Sequence, residues 1–203
     1  GRFESVGEVL LALPRLQRLN ASNNLLKTVV STNGNHITEL DVSNNPGIFS
    51  IVWEYGELES IKLNGLFGLQ SLGLRDNELR SIPLIGLTAL TLLSLGENRL
   101  QSINLNGSIA LADLRLHHNC LRAIGVNHLT ALTYLNLNEN QLRSLDLSGL
   151  TALSWLSLEN NTLQSINLTG LTALTYVNLL GKSIKNITGW NRTKTYMKKE
   201  TSS

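Results

Sequence analysis

Leucines recur along this chain at intervals that neither a lone helix nor a lone strand produces. The frame Leu-x-x-Leu-x-Leu-x-x-Asn-x-Leu fits Leu16, Leu19, Ala21, Asn24 and Leu26, with alanine in a small-core slot. It returns at Leu69, Leu72, Leu74, Asn77, Leu79 and at Leu90, Leu93, Leu95, Asn98, Leu100. Further copies begin at Leu111, Leu132 and Leu153. Asn77, Asn98, Asn119, Asn140 and Asn161 stand 21 residues apart. Self-similarity at a fixed period of this size marks a stacked repeat architecture.

Within each copy the Leu-x-Leu alternation has the period of a strand. Strands in one direction and one register stack as a parallel sheet, each turn burying its leucines against the next. An asparagine where the chain leaves the strand both donates and accepts hydrogen bonds. It can satisfy backbone groups of its own turn and of its neighbour. The predicted ladder comprises Asn24, Asn45, Asn77, Asn98, Asn119, Asn140 and Asn161. Short alternating pieces follow, such as Ile82-Pro83-Leu84, Ile103-Asn104-Leu105 and Ile166-Asn167-Leu168. Segments this short leave no room for a helix, so the outer side is predicted to hold short strands, turns and single 3₁₀ turns.

This frame is the leucine-rich-repeat signature, and the chain resembles that family over roughly residues 13–181, in its short 21-residue bacterial form. The resemblance implies a right-handed solenoid with a parallel β-sheet on its concave face and little α-helix. It also implies a recognition surface on that face.

The array is expected over residues 16–181, between an N-terminal cap at 1–15 and a C-terminal cap with a basic tail at 182–203. The frame slips near 45–68. Ile37, Leu40, Val42 and Asn45 fit one copy, yet Ile48, Ile51, Trp53, Gly56 and Leu58 fit another only 11 residues later. Either one turn lacks its outer half or one match is false, with a kink or tight loop expected at Pro46-Gly47. At the far end Lys182 takes the asparagine slot, and open solenoid ends require caps. Trp190, Tyr196 and Met197 are the residues suited to that role; at the front, Glu4–Leu13 suggests a short amphipathic helix stopped by Pro14.

Composition narrows the picture. Hydrophobic residues make up 42% of the 203, but aromatics only 5%, so Leu and Ile supply the core volume. No apolar run is long enough to span a bilayer. Cys120 is the single cysteine, which rules out an intramolecular disulfide. Residues 182–203 carry six Lys/Arg (Lys182, Lys185, Arg192, Lys194, Lys198, Lys199) and one acidic residue. Without interleaved aromatics such a tail reads as a solvated terminus, and no nucleic-acid partner is expected. Neither a signal peptide nor anything else in the chain fixes its compartment.

Candidate chemistry lies on the strands. The third frame position runs Arg18, Glu39, Ser50, Ser71, Leu92, Asp113, Tyr134, Trp155, Tyr176. Three rings on consecutive strands predict an aromatic column on the open face, and exposed aromatic anchors dominate binding hot spots. Equally, neighbouring rings can stack and stabilise the sheet. Arg115, His117, Asn136, Asn138 and Glu159 form the expected polar surround. His117 and His118 lack a third ligand at motif spacing, so no metal is expected and both read as solvent-exposed turn residues. No nucleophile motif or phosphate loop appears, and neither catalysis nor a cofactor is expected. The sequence therefore predicts a non-catalytic, monomeric scaffold for a protein partner, with a glycan ligand or a purely structural spacer as alternatives.

Overall fold

The computed structural model describes residues 6, 13, 15–30, 36–181, 183–190 and 196–198. The helix expected over Glu4–Leu13 falls outside these save for Val6 and Leu13, as do Pro14, Lys182, Arg192, Lys194 and Lys199.

Fourteen three-residue strands are present among the described residues, and no helix. In chain order they are β1 (Arg18–Asn20), β2 (Thr28–Val30), β3 (Glu39–Asp41), β4 (Ser50–Val52), β5 (Ser60–Lys62), β6 (Ser71–Gly73) and β7 (Leu92–Ser94). There follow β8 (Asp113–Arg115), β9 (Tyr134–Asn136), β10 (Trp155–Ser157), β11 (Ser165–Asn167), β12 (Tyr176–Asn178), β13 (Asn186–Thr188) and β14 (Tyr196–Lys198). One long sheet has the order β14-β12-β10-β9-β8-β7-β6-β4-β2; β1-β3-β5 and β11-β13 form two short ones. All pairings are parallel.

The middle residue of each strand from β1 to β13 turns inward, as period-two alternation requires. Val29, Ile51, Leu72, Leu93, Leu114, Leu135, Leu156 and Val177 are buried in a row beneath the long sheet. Leu40, Ile61 and Ile166 approach from the short sheets. Each such side chain contributes about 1.5–3 kcal/mol by leaving water, so the axis of the solenoid is one continuous stack of Leu, Ile and Val. At both ends the turns are joined by strand ladders on two sides. In the middle, segments 81–83, 102–104, 123–125 and 144–146 belong to no strand ladder, and the long sheet is the one strand ladder joining those turns. Pro83, with no N–H to donate, stands where the first short sheet would have continued.

The chain leaves its strands through a repeated device. Asn23, Asn44, Tyr55, Asp76, Glu97, His118, Glu139 and Asn160 have φ of 51–57°, in the left-handed region. Each immediately precedes a ladder asparagine, or Gly56 in the case of Tyr55. The asparagine locks the turn. Asn119 Oδ1 accepts from Leu100 N at 2.9 Å, while Nδ2 donates to Leu95 O at 2.9 Å, Leu116 O at 3.2 Å and His117 O at 3.3 Å. One buried amide therefore serves two turns.

The slip between Asn45 and Asn77 is neither a lost half-turn nor a false match. Strand spacing holds across it: Glu39 pairs with Ser60, and Ser50 with Ser71. What changes is the side on which the asparagine turn sits. Asn24 and Asn45 follow β1 and β3 in the short sheet, whereas Asn77 and its successors follow strands of the long sheet. Asn45 makes the same bonds as Asn77, accepting from Leu26 N at 3.1 Å as Asn77 accepts from Leu58 N at 3.0 Å. The single ladder expected from sequence is thus two ladders, displaced by half a turn. Of the kink or tight loop expected there, Pro46-Gly47 forms a tight turn into β4, with Ile48 N donating to Asn45 O at 3.0 Å.

The joint has its own chemistry. Trp53 fills a leucine slot with no exposure, and Gly56 stands where Asn77 stands one turn later. A Cβ on Gly56 would lie 2.9 Å from Asn77 Oδ1 and 3.6 Å from Trp53 Nε1. The larger ring thus occupies space that its neighbours give to Leu plus Asn. Trp53 Nε1 is left buried without a hydrogen-bond partner, a cost of about 1–3 kcal/mol.

A second polar ladder escaped the sequence reading. At the entry to the strands, Thr91, Thr133, Ser154 and Thr175 each donate a side-chain hydroxyl to the carbonyl 21 residues earlier, all at 3.0 Å. Its signal was the hydroxyl residue directly before each strand, at the repeat period.

Candidate functional site

Register of the long sheet aligns Thr28, Ser50, Ser71, Leu92, Asp113, Tyr134, Trp155, Tyr176 and Tyr196 in one outward row. Arg18 and Glu39, which the frame had placed in this row, lie on the short sheet instead, where they pair with each other at 3.1 Å. Their places are taken by Thr28 and, at the other end, Tyr196 joins as a fourth ring. Tyr196 thereby adds a strand to the long sheet, while Trp190 packs against the core.

The rings are parallel and in contact. Tyr134 and Trp155 have centroids 4.1 Å apart at 6°, and Trp155 and Tyr176 lie 5.2 Å apart at 7°. Tyr176 and Tyr196 follow at 5.7 Å and 20°. Adjacent parallel strands sit about 4.8 Å apart, so register alone brings the rings to stacking distance. Both faces of Trp155 and of Tyr176 are covered by neighbours, so the half-buried rings meet solvent at their edges. Tyr196, at the end of the row, is 65% exposed.

The other end is capped by a cation. The Arg115 guanidinium lies 5.0 Å from the Tyr134 ring centre and is held by two bonds to Asp113, at 2.9 and 2.7 Å. Those bonds raise the guanidinium pKa further above its ordinary value. Burial, the larger influence, pushes the Tyr134 hydroxyl up, against the Arg115 charge that lowers it.

Past the strands the polar groups interlock. Asn138 Oδ1 accepts from Ser157 Oγ at 2.5 Å and Glu159 N at 2.8 Å, and Asn138 N donates to Asn136 Oδ1 at 3.2 Å. Asn178 Nδ2 donates to Glu159 Oε2 at 2.7 Å, and Asn160 Nδ2 donates to Glu139. Asn136, Asn138 and Glu159 therefore sit together beside the rings, on one pre-ordered surface.

His117 is elsewhere in character from what its neighbours suggested. Its side chain is only 16% exposed and lies over the Gly96 backbone, where a Cβ would come within 2.2 Å of the ring. Burial first, and then the Arg75 charge, hold its pKa below the ordinary value, while Glu97 opposes them. Nδ1 is buried without a partner, and Nε2 is 3.9 Å from Glu97, whose carboxylate is bound by Arg75 at 3.0 Å. His118, by contrast, is the exposed left-handed residue of its turn, as expected. No group of three or more His, Cys, Asp or Glu residues suited to a metal ion occurs among the described residues. No helix among them is long and apolar enough to cross a membrane.

Stacked turns of Leu-x-Leu strands, closed by a repeated asparagine at all but the Gly56 turn, define the leucine-rich-repeat solenoid. Solved structures of bacterial leucine-rich-repeat proteins share the fold. A leucine-rich-repeat protein of Leptospira interrogans superposes with a TM-score of 0.67 at 23% identity, over 94% of this chain and 58% of that one. The internalin InlF of Listeria monocytogenes gives 0.64 at 22%, over 96% and 70%. The functional domain of InlJ from Listeria monocytogenes, which includes a cysteine ladder, gives 0.56 at 17%, over 94% and 54%. The chain thus spans little more than half the length of two of these three. No family model and no curated protein matches the sequence.

Proposed function

We propose that the outward face of the long sheet is a non-catalytic recognition surface for a protein partner. It is centred on Tyr134, Trp155 and Tyr176, with Arg115, His117, Asn136, Asn138 and Glu159 around them. The observation that carries this reading is the column of rings, whose edges lie beside side chains already fixed by hydrogen bonds. Groups held in place lose little freedom on binding, which favours affinity. A sugar ring stacks on an aromatic face, and the faces of Trp155 and Tyr176 are taken by their neighbours, so the column suits a protein better than a glycan.

The test compares capture by the parent with capture by a Tyr134→Ala/Trp155→Ala/Tyr176→Ala variant from host lysate and surface extract, once circular dichroism shows both folded. A protein retained by the parent and lost by the variant is the expected result. Displacement by soluble oligosaccharide would move the reading to a glycan. Identical captures, with a lowered melting temperature in the variant, would leave the column as a structural stack in a spacer.

A further inference from the structure

We infer that His117 is a proton-triggered flap on the outward face of the long sheet: neutral, its ring lies on the Gly96 backbone; protonated, it leaves that place and uncovers the sheet beside Arg115. The inference adds a regulation to the recognition face just described, and it rests on that reading only where binding is concerned.

The hollow that holds the ring is made by one residue. Glu54, Arg75, Gly96, His117, Asn138 and Glu159 follow one another at the repeat period, in one slot just past the strands. Gly96 alone among them lacks a side chain, and its φ is not in the left-handed region that favours glycine. The backbone therefore does not demand glycine there; the neighbouring ring does. The three atoms nearest a Cβ built on Gly96 are Cε1, Nε2 and Nδ1 of His117, at 2.2, 2.5 and 2.6 Å. The ring fills the place that a side chain of the preceding turn would have taken.

That place suits a neutral ring and not a charged one. A neutral imidazole carries one N–H, whereas an imidazolium carries two and needs an acceptor for each. Nδ1 is buried without a hydrogen-bond partner, and Nε2 stands 3.9 Å from a Glu97 oxygen that Arg75 Nε already holds at 3.0 Å. Arg75 and Arg115 oppose a further positive charge, as does His118, its ring 5.8 Å away; Glu97 favours one. Asn138, in the same slot one turn on, brings no charge. A desolvated cation with an unmet N–H is costly, and moving the ring into water removes that cost. Opening is therefore linked to proton uptake. His117 follows Arg115 by two residues on the same face, so the flap borders the capped end of the ring column.

The test is a pH titration of the histidine ring resonances by NMR in the parent and in Gly96→Ala, with His117→Asn identifying the signal. At neutral pH the parent should show a through-space contact between His117 Cε1–H and Gly96 Hα, and that contact should vanish as the ring titrates. Gly96→Ala, whose methyl takes the hollow, should lack the contact at every pH and titrate at higher pH than the parent. A contact that persists after the ring is protonated would overturn the flap, and the parent alone decides this even where the variant fails to fold. An unchanged midpoint in a Gly96→Ala variant with a native melting curve would overturn it too. For binding, the protein that the triple alanine variant loses should bind the parent about two- to tenfold more weakly in mildly acid than in neutral buffer, the cost of ordering one more side chain. Gly96→Ala should bind at the weaker level already at neutral pH, and His117→Asn should lose the pH dependence. Equal binding at both pH values would overturn the regulation while leaving the recognition face. No protein lost by the triple alanine variant would overturn the recognition face itself, with the ring contact still deciding the flap.

Discussion

The turns before Trp53 and the turns after it use the same parts in opposite arrangement. In the first, the asparagine turn closes the short-sheet side; in the second, it closes the long-sheet side. Both stack at the same 21-residue spacing, and backbone ladders run through the joint unbroken. The period therefore belongs to the stacking of turns, while the asparagine turn is a half-turn module that either side accepts. One consequence is asymmetric decoration. Up to the joint the long-sheet row is Thr28 and Ser50, small and hydroxylated; after it, the row passes through Ser71 and Leu92 and grows into the capped aromatic stack.

Substitutions can break this comparison at graded cost. The largest effect is expected at ladder asparagines with neighbours on both sides. Asn119→Ala should cost about 1–3 kcal/mol by orphaning buried backbone groups, and Asn45→Ala should match it if the two ladders are one module. Among the described residues Asn24 bonds within its own turn, to Ala21 O and Ser22 O, both at 3.0 Å, so Asn24→Ala should cost distinctly less. Chemical denaturation of the three variants ranks them; a cheap Asn45→Ala would break the equivalence.

At the joint, Gly56→Asn alone should destabilise by about 1–3 kcal/mol from overpacking. Combined with Trp53→Leu it should recover part of that loss, giving a coupling of about 0.5–3 kcal/mol in a double-mutant cycle. Additive effects would mean that Trp53 and Gly56 are not paired by volume. In the aromatic half, Trp155→Ala removes two stacked contacts, each worth about 0.5–1.5 kcal/mol, beyond the area lost. Ser50→Ala, in the same row before the joint, should be close to neutral in the same melt.

The smallest effect is with pH. His117 has a lowered pKa in the fold, so the unfolded chain takes up its proton first as pH falls. Its contribution is thus present above the ordinary histidine range and declines as pH drops through that range toward the lowered folded value. The melting temperature of the parent relative to His117→Asn should fall between neutral and mildly acid pH. A constant difference would show that the ring titrates alike in both states.

Much of this was legible in the residues. Leu-x-Leu and the asparagine spacing gave the solenoid, its buried row and the rings of consecutive strands. The side on which Arg18 and Glu39 lie was not legible, because Leu19-x-Ala21 fits the same frame as Leu72-x-Leu74. Which half-turn pairs with which is a long-range contact, not a local pattern. Tyr196 was missed in the ring row because it comes 20 residues after Tyr176 and outside the leucine frame. The burial of His117 depends on Gly96 having no side chain one turn earlier, a lateral relation that neither sequence neighbourhood reveals. The hydroxyl ladder stood at the repeat period in plain view, but Thr and Ser before a strand read as ordinary loop residues.

The distribution of ladders makes the molecule an uneven spring. Turns tied by strand ladders on two sides resist bending at the ends, whereas the central turns, tied by a strand ladder on one side, form the compliant section. The ring stack begins in that section at Tyr134 and runs into the stiffer end beyond Trp155, where β11 and β13 resume the second ladder. A ligand clamped across it would bridge soft and stiff segments, so tension along the solenoid axis would be felt first at the Tyr134 end of its grip.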